Sequence, residues 1–343
     1  MNTIATLAAL AALAACGDSG KTDAEFKADV VAGMHDSIGS QLADLAQAAK
    51  DLQAAAPTHA WNATTDAAAI TAMRDAWKRT RVAYEHVEGA TAPIFGDLDV
   101  SMDARYDDFL ATLGPGGDPD LFDDMGVTGM HAIERILYAQ DIRTEVIAFE
   151  SPLPGYVAAA YPATDPQAME FKTKLLQKLV DDAASLHDQW TPAAIDLDFA
   201  FQGLVGLMNE QKEKVNLAAT GEEESRYANI TLFDLRNNLD GTRTAYTLFQ
   251  PWIKSHSMGA SIDAMIEARF DQLSTLYDSV TGDALPPVPG DWSADQPTAA
   301  NLATPFGMVW QTVHQDVDPT MSGSVVFEMN QVATMLGFHT FTE

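Results

Sequence analysis

"DAAAITAMRDAWKRTRVAYEHVEGAT", residues 66–91, repeats apolar residues at spacings of three and four. That period belongs to a helix with one buried face, and it runs for about seven turns. The same spacing recurs in 26–55, 168–190, 193–219, 228–250, 260–281, 298–317 and 323–337. No strand-like alternation bounded by hairpin turns interrupts it, so the expected fold class is all-α. The longer breaks are rich in Gly, Pro and Asp: "LGPGGDPDLFDD" (113–124), "ESPLPGYVAAAYPATDPQ" (150–167) and "GDALPPVPGDWSADQP" (282–297). The middle break is the best boundary between two helical halves, 25–150 and 165–343. Each half then holds about four helices, as four-helix bundles require. Pro251 is expected to end or kink the helix it falls in.

The chain has 343 residues, of which 47% are hydrophobic, enough for a substantial core. Asp and Glu number 49 against 20 Lys and Arg, a formal charge of -29. Such a polyanion repels nucleic acid and anionic lipid headgroups and attracts cations, so no nucleic-acid partner is expected. The N-terminal "MNTIATLAALAALAAC" is a short apolar run ending in Leu13-Ala14-Ala15-Cys16. A run this short reads as a signal-peptide core rather than a spanning helix. Small residues before a cysteine are similar to a bacterial lipobox. Residues 1–15 are thus expected to be removed, Cys16 to carry lipid, and 16–24 to form a tether. No Lys or Arg precedes the run, a departure from the usual basic start. Cys16 is the single cysteine, so no disulfide can form.

On a helix over 66–91, Arg81, Tyr84, Glu85 and Glu88 fall on one stripe, and Glu85 and Glu88 lie one turn apart. "GMHAIERILY" (129–138) carries a second pair at that spacing, His131 and Glu134. Between them lies "FGDLDVSMDAR" (95–105), with Asp97, Asp99, Asp103 and Arg105, a polar stretch that must cross the bundle end near both pairs. Ligand pairs one turn apart on facing helices are how bundle cores hold metals. Spacing alone leaves the rival open: a surface ion pair such as Arg81–Glu85, or a capped core histidine. Carboxylates with one imidazole suit iron, manganese or zinc rather than copper(I). HExxH is absent, and HxxEH is absent because Arg135 follows Glu134, so a zincin-type hydrolase is unsupported.

The sequence resembles the imelysin family, and within it the EfeO/EfeM type of iron-uptake lipoprotein. Gly129, His131 and Glu134 match its GxHxxE motif. Arg81, Tyr84, Glu85 and Glu88, then Phe95 to Asp99 and Asp103 to Arg105, match an upstream block. "YANITLFDLRNNLDGT" (227–242) matches in part a block typically written YSHTDLxDFxANVDGA, with Tyr227, Leu232, Asp234, Asn238, Asp240 and Gly241 in agreement. Where that block has Ser-His-Thr-Asp, this chain has Ala228, Asn229, Ile230 and Thr231, so a histidine and an aspartate are lost. The resemblance spans roughly residues 25–282.

It implies two helical bundles meeting at a shared cleft, in a bacterial envelope protein that is lipid-anchored in the periplasm or at the outer membrane. It implies that Glu85, Glu88 and Asp103 form one metal-binding cluster, with His131 and Glu134 the second part of the site. Glu224 is a candidate carboxylate from the other half, and Asp99, Asp240 and Arg243 are further candidates. Arg81 and Arg105 would orient carboxylates, and Tyr84 would ligate ferric iron or donate a hydrogen bond. The expected cargo is a divalent or trivalent cation, iron first and zinc second. The expected partners are the membrane, through Cys16, and an iron-transport membrane protein. Two alternatives stand beside this: a metal-free cleft that binds a polymer or a partner protein, and a metallopeptidase.

Overall fold

The computed structural model describes residues 20–342. The expected cleavage after residue 15 and the lipid on Cys16 lie outside them. Every regular element among the described residues is helical. α1 (Asp23–Ala55) opens at a capping box. The Thr22 side chain accepts from the Glu25 backbone N–H, and the Glu25 carboxylate accepts from that of Thr22. Val30, Met34, Ile38, Leu42, Leu45, Ala49 and Leu52 line its buried face. Each such aliphatic side chain contributes about 1.5–3 kcal/mol on burial, far more than helix propensity does.

The stretch 66–91 is two helices. α2 (Ala67–Glu85) ends at His86, and α3 (Glu88–Thr91) starts two residues later. The Val87 N–H turns back to the Tyr84 carbonyl at 2.9 Å, tightening the last turn. α4 (Gly96–Asp103) and α5 (Tyr106–Leu113) follow, so the polar 95–105 stretch is itself mostly helix. α6 (Gly129–Leu137) and α7 (Thr144–Glu150) come next. α8 (Asp165–Glu170) runs through a π-helical turn, Phe171–Leu175, into α9 (Leu176–Trp190). α10 (Leu197–Leu217), α11 (Thr231–Ser255) and α12 (Gly259–Ser279) are the long helices of the later chain. α13 (Ala299–Leu302), α14 (Pro305–Val317) and α15 (Val325–Leu336) complete it. The helix expected over 298–317 is divided before Pro305, a first-turn proline preceded by Thr304, which caps the new helix.

Pro251 does not end its helix. α11 continues to Ser255, because Trp252 and Ile253 are buried beyond the proline and the Trp252 indole donates to Asp23 at 3.1 Å. Helices on either side of the 150–167 break pack together. α9 packs on α1, α4 and α6, while α10 packs on α11, α14 and α15. The Trp190 ring sits near His35 and Phe95, inside the first group of helices. The groups touch where α11 meets α1, α2 and α3, and where α10 meets α3.

Candidate functional site

The end of α2 turns charge inward. Arg81, Tyr84 and Glu85 have no exposed surface. A buried guanidinium requires compensation, and Arg81 has ion pairs to Glu85, Asp103, Glu224 (2.9 Å) and Asp234 (3.5 Å). Burial works to lower its pKa, but Asp103, Glu85, Asp234 and Glu224 hold it well above the ordinary arginine value. α4 presents Asp99 and Asp103 to the same place, and the Tyr84 hydroxyl donates to Asp99. Burial pushes Asp99 up to about 6 against that hydrogen bond, with Glu88 adding to the rise.

α6 supplies the histidine. Gly129 begins it with φ of +80°, in the left-handed region that favours glycine, and a Cβ there would lie 2.4 Å from the Met102 carbonyl oxygen. This close seat brings the start of α6 against the end of α4, and so His131 beside Asp103. The Trp77 indole donates to the Met130 carbonyl at 3.0 Å and ties α6 to α2. His131 Nδ1 is 2.9 Å from Glu134 Oε2, and Nε2 is 3.5 Å from Asp103 Oδ1. The other Glu134 oxygen accepts the backbone N–H groups of Tyr227 (2.9 Å) and Ala228 (2.8 Å). With its proton on Nδ1 facing Glu134, His131 presents a bare Nε2. Burial, then the nearby Arg81, keeps the imidazole well below its usual pKa and hence neutral. Nε2 is buried and has no hydrogen-bond partner.

The later chain closes the site. Glu224 lies in the loop between α10 and α11, and each of its oxygens faces a cation: Oε1 meets Arg81, and Oε2 meets Lys214 Nζ at 2.7 Å. Burial would raise Glu224, but Lys214 and Arg81 pull it down to about 2. Lys214 on α10 also donates to Asn238 Oδ1 at 2.9 Å and lies 3.8 Å from Glu88. Asn238 on α11 donates in turn to Glu85 and to Glu88 (2.9 Å), which keeps these carboxylates together across the break between α2 and α3. Burial pushes Asp103 well above the usual range, with Glu224 and Glu88 adding to it and Arg81 opposing.

These side chains border a cavity of about 210 Å³. Six carboxylates line it, from Glu88, Asp103, Asp108, Glu210, Glu213 and Glu224, against the cations Arg105 and Lys214. Among the described residues, Asp103, His131 and Glu224 each offer a ligand atom within 4.8 Å of the others. A carboxylate–imidazole–carboxylate set with an orphaned buried ring nitrogen fits a first-row transition metal. One buried water needs about 10–15 Å³ of such space, so the cavity has room for an ion with several waters.

Of the residues singled out by sequence, Asp103, His131, Glu224, Glu88 and Arg105 border the cavity. Arg81, Tyr84, Glu85 and Glu134 are buried behind these, and the half-buried Asp99 joins them through the Tyr84 hydroxyl. Glu85 is committed to Arg81 and Asn238, and Glu134 to His131 and two backbone N–H groups, so neither carboxylate faces the cavity unengaged. Asp240 is exposed and stands 3.5 Å from His86, and Arg243 pairs with Glu267 and with Asp271 (2.8 Å). Neither joins the site. The altered 228–231 segment contributes through its backbone, so losing its histidine and aspartate leaves the grip on Glu134 intact. Lys214, Glu210, Asp234 and Asn238 were not among the sequence candidates. Asp234 and Asn238 stood within the matched block. Lys214 and Glu210 sit one turn apart in "NEQKEK" (209–214), and that spacing on a helix was the available signal.

The family model described as imelysin matches residues 38–303. A lipoprotein of the Efem/EfeO family from Staphylococcus aureus strain MSSA476 is 28% identical over 202 residues, covering 59% of this chain and 57% of that protein. Its counterpart in Staphylococcus haemolyticus strain JCSC1435 is 29% identical over 205 residues, with 60% and 57% covered. The match therefore spans little more than half the length of these relatives. The crystal structure of an imelysin-like protein from Psychrobacter arcticum 273-4 superposes with a TM-score of 0.59 at 13% identity, over 94% of this chain and 98% of the other. The shared helical fold is what that superposition establishes.

Proposed function

The chain belongs to the imelysin family, and we propose that it is a cell-envelope lipoprotein that captures a metal cation, iron in the first place, for uptake or delivery. The observation that carries this reading is the buried, unpartnered Nε2 of His131 between Asp103 and Glu224. Asp103, Glu224 and Glu88 supply hard oxygen donors, and His131 supplies the imidazole that favours transition metals over calcium. Glu134 fixes the ring and its tautomer, as carboxylates beside metal-binding histidines do. Arg81 neutralises the surplus carboxylates while the cation is away. The names of the staphylococcal relatives support an anchored lipoprotein of the envelope. Among the described residues no helix is long and apolar enough to cross a membrane. In this reading the anchor is a lipid on Cys16. Delivery to a membrane transporter is the role this location suits. Glu134, the glutamate of the GxHxxE motif, is engaged by His131 and two backbone N–H groups and so is not free to serve as a hydrolase's general base.

The test is calorimetric. Metal bound to the folded state alone at ~100 times its dissociation constant stabilises by about 2.7 kcal/mol. Ferrous iron under anaerobic conditions, and zinc, should therefore raise the melting temperature by several degrees, and magnesium, which dehydrates reluctantly, by less. His131→Ala should abolish the selective part of that rise. An equal response of the variant to all three ions would mean diffuse binding to the acidic surface and would overturn the reading.

A further inference from the structure

Among the described residues Lys214 is the one ammonium group bordering the cavity, and its position conflicts with the proposed cargo. Both oxygens of Glu224 are engaged by cations, so a metal that takes this carboxylate meets a like charge at either oxygen, and that repulsion favours displacing one of them. Arg81 cannot leave easily. It is fully buried, and four carboxylates hold its planar fork. Lys214 is buried too, but its side chain keeps some exposure and is held by less: Glu224 at 2.7 Å, Asn238 at 2.9 Å and a long approach to Glu88 at 3.8 Å. Its ammonium is a compact charge on a flexible four-carbon stem. A second seat is near, because Glu210 stands one helical turn earlier on α10 and lines the same cavity.

We propose that Lys214 is a tethered stand-in for the cargo, occupying Glu224 when the site holds no metal and swinging toward Glu210 when a cation enters. This inference rests on the metal-capture reading. It makes Lys214 the residue that sets affinity: its return to Glu224 competes with the bound ion and speeds release. No covalent or redox step is involved. One ammonium exchanges one carboxylate partner for another, and the metal takes the vacated oxygen.

The experiment uses the full chain and ferrous iron under anaerobic conditions, with affinity from titration calorimetry and release from stopped-flow transfer to a chelator. Lys214→Met, close in length and without charge, should bind iron about tenfold more tightly or better, and most of the gain should lie in slower release. Lys214→Arg should bind more weakly than the wild type, because a guanidinium grips Glu224 with two hydrogen bonds and is harder to displace. Opposite shifts from one position are not what a merely structural lysine gives. Should Lys214→Met fail to fold, amine labelling of the wild type read by mass spectrometry answers the same question. Modification of Lys214 should rise when iron is added. Wild-type binding with an unchanged or weaker Met variant, or with labelling that does not rise, would overturn the role of Lys214 and leave the metal site standing. No iron binding by the wild type would overturn the capture reading, and this inference with it.

Discussion

Single residues decide the geometry of the cavity. Gly129 holds a positive φ against the Met102 carbonyl, and any side chain there meets that oxygen. Gly129→Ala is expected to cost about 3 kcal/mol, combining left-handed strain with the clash. It should also blunt the iron-induced rise in melting temperature, because His131 moves with the start of α6. Thermal melts with and without iron check both effects. A second residue-scale expectation concerns His314 on α14, which stacks on Trp310 at 4.0 Å and lies 3.1 Å from the Asn216 side-chain oxygen. Burial first, and then Lys212, lower its pKa to about 4. The folded state thus refuses a proton that the unfolded chain accepts from about pH 6.5 downward. Stability attributable to this group is present above that pH and is lost as pH falls from there toward 4. Urea midpoints at pH 7 and 4.5 should show a smaller fall for His314→Gln than for the wild type. The candidate residues themselves were partly legible. His131 with Glu134, and Glu85 with Glu88, stand out by spacing alone. Lys214 does not, since "NEQKEK" (209–214) has the look of a solvated helix face. Its burial comes from the packing of α10 against α3, from the earlier chain, and against α11.

At the scale of elements, the helical period located most of the helices, and the errors lie at their joints. No proline or glycine precedes residue 89 in the 66–91 stretch, so nothing local marks the break at His86. The break has a tertiary cause. α3 leans on α10, where Gly89 faces Gly203 so closely that a Cβ on Gly203 would lie 1.9 Å from the Gly89 carbonyl oxygen. Glu88 rides at the start of α3, so this contact sets its distance from Lys214 and Glu224. Gly203→Ala should therefore push α3 away, cost about 1–3 kcal/mol as overpacking does, and reduce the iron response. Melts that show lost stability with an undiminished iron response would mean that the position of Glu88 is immaterial to the site. Pro251 stays inside α11 for a related reason. One missing hydrogen bond is outweighed by burial of Trp252 and Ile253 in the next turn.

For the molecule as a whole, the formal charge of -29 is a self-repulsion that every folded state must bear. Sodium chloride screens exposed charges over about 10 Å at 0.1 M. Raising it from a few millimolar should raise the melting temperature in His131→Ala as in the wild type. A salt effect confined to the wild type would place the repulsion at the site rather than over the surface. The return of α9 to α1 has a consequence of another kind, in the order of events during synthesis. A chain that emerges from the ribosome N-terminus first displays the face of α1 around Gly39 long before Trp190, the side chain that covers it, exists. More than a hundred residues must be made before that seat is filled, and contacts so distant in sequence form slowly. During this interval the nascent chain carries an open apolar groove. The export that the proposed function requires is better served by a late closure, because an unfinished bundle can still be threaded through a translocation pore.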